Sequence, residues 1–552
     1  MESELFTFLV GGKAGEGIKK AGSVAAQIFS KMGRHVFQMD DYMSLIRGGH
    51  NFSVVSTDII PLTSQYLKAQ VSVNFDIRSY EKHRNDLMED GIMIYNSDEI
   101  KNGKGIGIPF SSEAKKYPLK TLMFGVGAVA TLSAIIGVDK KRMNVIIREE
   151  YPRGIEDNIA YAEKIYDLIY PDCYNKFQLL KGDNKRPIIS GNEAISLGAV
   201  AGGLDAYYAY PMTPASSILH FLASHAENFG VVVVHPESEI AVVNMAIGSA
   251  FTGAKSMVGT SGGGFALMAE GISLAGITET PLLIVLSMRP GPATGVATYT
   301  EQGDLGFALN VGHGEFLRII ASPGSVKEAF YLTSEMLDLV WKFQTPGILL
   351  TEKHLSESSM TVNLNVQKAK WVEPKIHEGK NYLRYLDTED GISPLLFPPN
   401  KEIIKYNSNE HDEEGISTEE PEIIEKMHNK RKRKIKALEN YLKNVNTVNV
   451  YGSEEPFIFT YGSTTMSVLE ALKYVKVKAT VVQPIYLNPL PVWILDKYKE
   501  KKAIVIEMSS IGQFSQLLQE KVGIKFHSEI RKYDGRPFDP IELSNKLMEV
   551  LK

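Results

Sequence analysis

The chain has 552 residues, too many for one hydrophobic core and, at about 150 residues per domain, enough for three or four. Hydrophobic residues make up 44% and charged residues 23%, an ordinary globular balance, and 60 basic against 65 acidic residues leave a net charge of −5 with no general pull toward nucleic acid or an anionic membrane. The one cysteine, Cys173, excludes an internal disulfide framework and fits a reducing, cytoplasmic setting; Met1-Glu-Ser-Glu lacks the cationic opening of a secretory signal, and no apolar run reaches about 18 residues without charges or turns, so no membrane span is expected.

Residues 5–10 read as a buried strand entering Gly11-Gly-Lys-Ala-Gly-Glu-Gly17, then a helix with apolar positions at Ile18, Ala21, Val24 or Ala25, and Ile28. The glycines suggest a dinucleotide fingerprint, with Asp40 ending the next strand, yet Lys20 stands where the third glycine belongs. A phosphate-facing loop, as in a nicotinamide-dependent oxidoreductase, and a turn serving strand-to-helix packing both stay open. Asp40–Asn51 leads into the alternating strand Phe52–Ser56; Thr121–Ala134 reads as a small-residue helix and Tyr161–Tyr170 as a closing amphipathic one. A polar connector over 171–187 ends the first domain near residue 180.

Pro187–Gly203 has the pattern of a strand, a tight turn and a helix of small residues. Tyr210-Pro-Met-Thr-Pro-Ala-Ser-Ser217 follows, then strand Val231–Val234, His235-Pro-Glu-Ser-Glu239 and a helix from Ile240. Next come Gly259-Thr-Ser-Gly-Gly-Gly264, the buried-strand pattern Leu282–Leu286 and Ser287-Met-Arg-Pro-Gly-Pro-Ala-Thr-Gly295. Loops that follow the strands of an open α/β sheet lie at its carboxyl edge, where ligands bind. Two prolines stiffen the backbone around Thr213. Glu239 is either a cap stabilised by the helix dipole or a ligand group. Gly262–Gly264 permits close backbone approach, and Arg289 either forks onto a carboxylate or stands on the surface.

From about 360 to 450 the sheet pattern lapses. Here Lys430-Arg-Lys-Arg-Lys434 reads as a solvated helix face, and His411 with Asp412, Glu413 and Glu414 as a solvated loop in preference to a metal site. The last hundred residues return to strand–helix alternation through Phe457–Thr465, Ala479–Val482 and Ala503–Glu507, so the fold class is α/β with several three-layer domains.

Taken together, Tyr-Pro-Met-Thr-Pro-Ala-Ser-Ser, Glu-Ser-Glu-Ile-Ala, Arg-Pro-Gly-Pro-Ala-Thr-Gly and Thr300-Glu-Gln-Gly-Asp-Leu305 resemble the alpha subunit of the 2-oxoacid:ferredoxin oxidoreductases. The family's first motif usually runs Tyr-Pro-Ile-Thr-Pro-Ser-Ser, so Met212 and Ala215 depart from it while Thr213 stays. Ile46-Arg-Gly-Gly-His-Asn51 is similar to a loop of the gamma subunit that turns toward the active site, and Tyr533-Asp-Gly-Arg-Pro537 to the family's end. The resemblance implies a gamma-like catalytic domain at 1–180 and a thiamine-diphosphate pyrimidine-binding domain at 187–360. It further implies a linker excursion at 361–450 and a transketolase C-terminal-like domain at 451–552.

By the same resemblance, Glu239 is the catalytic carboxylate that bonds the aminopyrimidine ring, with Glu237 as the alternative, and Tyr210, Pro211, Gly262 and Gly263 line the cofactor. Thr213 and Arg289 bind the oxoacid. Arg47 is either a second cation for it or the partner of Asp40 or Asp41. The expected reaction is the coenzyme A-dependent oxidative decarboxylation of 2-oxoglutarate or pyruvate to acyl-CoA and CO2 with reduction of ferredoxin. Iron–sulfur clusters are usually held by four cysteines, so the resemblance with one cysteine places the [4Fe-4S] cluster in a beta subunit; the family holds the Mg2+-bound diphosphate in a Gly-Asp-Gly type motif, and as Tyr533-Asp-Gly-Arg stands in a different context, the resemblance places that site in the beta subunit too. A transketolase- or dehydrogenase-type thiamine enzyme and a non-catalytic scaffold subunit are the other readings.

Overall fold

The computed structural model describes residues 3–43, 48–371 and 373–551. They form two compact units, the first from Met1–Ile189, Ser358–Asn363 and Asp539–Glu542, the second from Ser190–Glu357, Leu364–Phe538 and Leu543–Lys552.

The first unit is built on an eight-stranded sheet in the order Ile106–Ile108, Leu87–Asn96, Ala69–Asn74, Phe6–Ala14, Gly48–Asp58, His35–Asp41, Ser359–Thr361, Ile188–Ser190. Helices Ile18–Lys31, Met123–Ile135 and Ile155–Cys173 contribute to its apolar core. Every residue of Met123–Ile135 is buried, as expected of a helix apolar on all sides. The glycine turn serves this packing: a Cβ on Gly125 would stand 2.7 Å from the Gly17 carbonyl oxygen, and Gly17 has φ 76°. The loop closes on its own carboxylate, because the Lys13 N–H donates to Glu16 Oε2 at 2.7 Å. Burial pushes the Glu16 carboxyl up to about 7.

The second unit holds two sheets. One runs Tyr486–Asn488, Ile319–Ala321, Pro346–Glu352, Leu282–Met288, Ser256–Thr260, Ala206–Tyr208, Val232–Val234; the other runs Val448–Tyr451, Thr480–Pro484, Phe457–Phe459, Ala503–Glu507, Phe526–Arg531. In the larger sheet every neighbour pair is parallel except Tyr486–Asn488 against Ile319–Ala321. The carboxyl ends of six strands therefore open on one edge, and the loops carrying Thr213, Glu239, Gly262 and Arg289 all leave from it. One core, including Ile284, Leu286, Phe459, Val482 and Phe514, joins both sheets.

Between Thr361 and Val448 no strand is found among the described residues. Two sequence expectations for this stretch are corrected. Within helix Pro421–Leu442, Lys430 and Lys434 are not solvated: both are buried. One turn apart, they converge on the buried Glu279, whose Oε1 and Oε2 accept from Lys430 Nζ at 2.7 and 2.9 Å while Lys434 also pairs with it. Burial alone would raise the Glu279 carboxyl, but Lys430, Lys434 and Arg384 together hold it below the usual carboxylate range. Nor is His411 in solvent. It is buried on the Tyr385 ring with centroids 3.8 Å apart, and its Nδ1 bonds the Asn409 carbonyl at 2.8 Å. Among the described residues no group of three or more His, Cys, Asp or Glu is placed to hold a metal ion.

Candidate active site

Helix Gly191–Ala201 starts with a reciprocal cap between Ser190 and Glu193, which leaves the next polar side chain, Asn192, free to reach sideways. Its Nδ2 donates to the Pro214 carbonyl at 2.8 Å and to Ser217 Oγ at 2.7 Å, fixing the loop that follows strand Ala206–Tyr208. Thr213 is thereby held at the sheet edge. Arg289, at the end of strand Leu282–Met288, donates from Nη1 to the Thr213 carbonyl at 2.8 Å, so the two residues assigned to the oxoacid are in direct contact. Tyr210 and Pro211 are exposed at the outer end of the same loop, where the Tyr210 ring meets His235 edge-on with centroids 5.8 Å apart.

Glu239 is the first residue of helix Glu239–Phe251, but the helix is capped by Ser238, whose hydroxyl accepts from the Ala241 N–H at 3.4 Å. The carboxylate is released from capping. It is 4% exposed, whereas Glu237 is exposed, and Oε1 is buried with no hydrogen-bond partner among the described residues. A buried carboxylate oxygen left without a donor costs about 1–3 kcal/mol or more, so this atom suits a donor from outside the chain. The same oxygen leans on Gly264: a Cβ there would come 2.5 Å from Glu239 Oε1 and 2.1 Å from Thr260 Oγ1. The glycines expected in an open loop form the first turn of helix Gly262–Leu267, and the absence of a side chain lets Glu239 lie against it. Thr260 is within reach of the Met212 sulfur at 3.9 Å, and a Cβ on Gly263 would touch only the Met212 methyl at 4.0 Å.

Beside this turn stands Asp304, a residue that reasoning from sequence left without a role although the Thr300–Leu305 motif contains it. A Cβ on Gly262 would meet Asp304 Oδ2 at 2.7 Å. Burial pushes the Asp304 carboxyl up to about 6, with Arg289 drawing it back; burial likewise lowers the Arg289 guanidinium, with Asp304 opposing. The Thr300–Gly306 strap is held by residues that follow strands Phe457–Phe459 and Ala503–Glu507. Gln302 Nε2 donates to the Tyr461 carbonyl at 3.0 Å, and Gln302 Oε1 accepts from Thr464 Oγ1 at 3.0 Å and Met508 N at 2.8 Å. Gln513 completes the hold, accepting from Gly306 N and donating to the Gly303 carbonyl, both at 2.6 Å. Sequence reasoning missed Asn192, Thr260, Gln302 and Gln513 as well; each acts through a partner far along the chain. Arg47 lies outside the described residues.

The edge thus gathers a buried, unpaired carboxylate over a glycine turn and an arginine–threonine pair. This arrangement suits an oxidoreductase that joins a thiamine-type cofactor to an anionic oxo substrate. Residues 197–430 match the family described as pyruvate flavodoxin/ferredoxin oxidoreductase, thiamine diphosphate-binding, and residues 7–168 match pyruvate ferredoxin/flavodoxin oxidoreductase. The chain belongs to the 2-oxoacid:ferredoxin oxidoreductase family. It is 29% identical over 615 aligned positions to the 2-oxoacid:ferredoxin oxidoreductase subunit alpha of Sulfolobus sp, covering 99% of this chain and 97% of that protein. A 2-oxoglutarate synthase subunit KorA of Archaeoglobus fulgidus is 41% identical over 174 positions, 31% of this chain and 50% of that protein. The solved 2-oxoglutarate:ferredoxin oxidoreductase of Magnetococcus marinus, with 2-oxoglutarate, coenzyme A and succinyl-CoA bound, superposes with a TM-score of 0.90 at 29% identity, covering both chains in full. Among the described residues, no helix is long and apolar enough to cross a membrane.

Proposed function

We propose that this chain is the alpha subunit, with a fused gamma-like part, of an enzyme that oxidatively decarboxylates a 2-oxoacid with coenzyme A, releasing acyl-CoA and CO2 and passing the electrons to ferredoxin. Thiamine diphosphate, when bound, supplies the electron sink that removal of CO2 from a 2-oxoacid requires. The observation that carries this reading is the buried, unpartnered Oε1 of Glu239 above Gly264. That oxygen fits a ring N–H, and its charge would set the protonation of the aminopyrimidine. Gly262, Gly263, Tyr210 and Pro211 line the approach. Arg289 presents its guanidinium to the oxoacid carboxylate, and Thr213, whose carbonyl holds Arg289, offers its hydroxyl to the oxo oxygen. Arg47 is assigned to a second carboxylate of the substrate, which favours 2-oxoglutarate over pyruvate.

A lone buried thiol cannot ligate a [4Fe-4S] cluster. Cluster, Mg2+ and diphosphate site are assigned to a beta subunit, and the complex to the cytoplasm. The test uses the complex made by co-expression with that cysteine-rich partner. Glu239→Gln is expected to slow exchange of the thiamine C2 proton and ferredoxin reduction by about 10²–10⁴-fold, with the melting temperature unchanged. Exchange at the wild-type rate in the variant would sink the assignment.

A further inference from the structure

The turn Tyr533-Asp-Gly-Arg-Pro537, which has no part in the reaction as described, follows strand Phe526–Arg531 and lies against the loop that begins at Arg289. That loop leaves strand Leu282–Met288 and runs to Thr300, with residues 291–296 all exposed. Two backbone bonds close it on itself: the Val296 N–H donates to the Pro290 carbonyl at 3.0 Å and the Tyr299 N–H to the Val296 carbonyl at 3.2 Å. Gly295, at φ 54°, permits this closure, because a Cβ there would stand 1.7 Å from the Pro290 oxygen. The result is a lobe with its neck at Pro290 and Tyr299.

The Tyr533–Pro537 turn packs against that neck. A Cβ on Gly535 would lie 3.2 Å from Tyr299 Cβ and 3.7 Å from Pro290 Cγ, so the Gly535 backbone reaches both sides of it. The Gly535 carbonyl accepts from the Thr300 N–H at 3.1 Å, and the Arg536 guanidinium lies over the Tyr299 ring, 3.6 Å from its centroid. Asp534 shapes the turn, accepting from the Arg536 N–H at 3.0 Å and pairing with Lys532 at 2.7 Å.

We infer that Arg536 is a positioning residue for Arg289: its stack on Tyr299, with Gly535 in the neck, fixes the backbone from which Arg289 extends and so sets the guanidinium for the substrate carboxylate before it arrives. This rests on Arg289 being the oxoacid-binding cation. Arg289 is held at its tip, where Nη1 donates to the Thr213 carbonyl at 2.8 Å, and its neighbour Pro290 is the residue that Gly535 meets. With the neck loosened, substrate would have to order the arginine itself, and ordering a long side chain on binding lowers affinity. A guanidinium suits the anchoring contact because its plane lies flat on an aromatic face, which an ammonium cannot do. Glu239 stands on helix Glu239–Phe251, away from this neck in the chain, so its proton chemistry should not depend on the stack.

In the complex assembled with the cysteine-rich partner, Arg536→Ala should raise KM for pyruvate and 2-oxoglutarate by about fivefold, with kcat and exchange of the thiamine C2 proton unchanged. Tyr299→Ala should do the same, and the double variant should lose no more than either alone. Tyr299→Phe keeps the ring and should behave as wild type. Arg536→Lys keeps the charge without the flat stack and should fall between, which carries the test if Arg536→Ala does not assemble. Calorimetry with oxamate, which presents the same carboxylate and is not decarboxylated, should show the same loss without turnover. A lowered melting temperature with wild-type KM in Arg536→Ala and Arg536→Lys would make the stack a contact for stability only and overturn the inference. Slowed C2 exchange in Arg536→Ala, or a double variant whose KM rise is the product of the two single ones, would overturn it too. A raised KM in Arg289→Ala beside any of these results confines the failure to Arg536, whereas an unchanged KM in Arg289→Ala would remove the reading of Arg289 as well.

Discussion

Three buried carboxylates in the second unit find three different surroundings. Glu239 has one oxygen that no group among the described residues answers. Glu352, at the end of strand Pro346–Glu352, accepts from Ser463 N at 2.9 Å, and burial still pushes it up to about 7. Glu279 meets two lysines and lies close to Arg384, whose Nη2 donates to the Glu279 carbonyl at 2.8 Å. Removing one partner of a buried charge cluster costs more than the cluster contributes, because the remaining charges have been stripped of water. Glu279→Gln should therefore lower stability by about 3–5 kcal/mol in chemical denaturation. The Glu279 carboxyl is depressed, so its contribution is complete above the ordinary value of 4.5 and lost only as pH falls through the folded value. The variant should lack that acid-range dependence. A loss under about 1 kcal/mol would mean that the lysines are not charged in the folded state.

At the scale of single elements, the Thr300–Gly306 strap has no regular secondary structure before Leu305, yet Gln513, the first residue of helix Gln513–Val522, holds it at Gly303 and Gly306. Gln302 is fully buried, and its backbone N–H donates to the Met508 carbonyl at 2.7 Å in addition to its side-chain bonds. Gln302→Leu keeps the volume but strands the Tyr461 carbonyl and the Met508 N–H, at a cost of about 1–3 kcal/mol each. Faster amide exchange confined to Thr300–Gly306, Tyr461–Thr465 and Met508 is expected, with helix Gly191–Ala201 unaffected. Wild-type exchange in the strap would show that Gln302 does not hold it. Helix starts follow the same logic of local bonds. Ser238 caps, which frees Glu239, and the glycines that read as a loop wind into the first turn of helix Gly262–Leu267. A run of three glycines has weak helical preference, and Thr260, Glu239 and Asp304 pack against the turn.

For the whole molecule, substrate choice should depend on a residue remote in sequence from Arg289. If Arg47 reads a second carboxylate, Arg47→Ala should lose about tenfold or more in kcat/KM with 2-oxoglutarate, the size of one charge-assisted hydrogen bond, and little with pyruvate. Equal losses on both acids would remove that reading. Much of the architecture was legible along the chain. The buried runs Leu282–Leu286 and Ala503–Glu507 and the proline-bounded turn at Thr213 are set by near neighbours and by period, so strand–helix alternation and the loops at the carboxyl edge of the larger sheet could be read directly. The same is true of the lone Cys173, a count that needs no coordinates. Charged side chains were another matter. The period of helix Pro421–Leu442 says that Lys430 and Lys434 share a face, but whether that face meets water or Glu279, 151 residues earlier, depends on tertiary contacts. Arg289 on the Thr213 carbonyl and the unanswered oxygen of Glu239 were decided in the same way. Burying a charge is costly unless a partner arrives with it; for Glu279 that partner comes from a distant part of the chain, and Glu239 Oε1 meets none among the described residues.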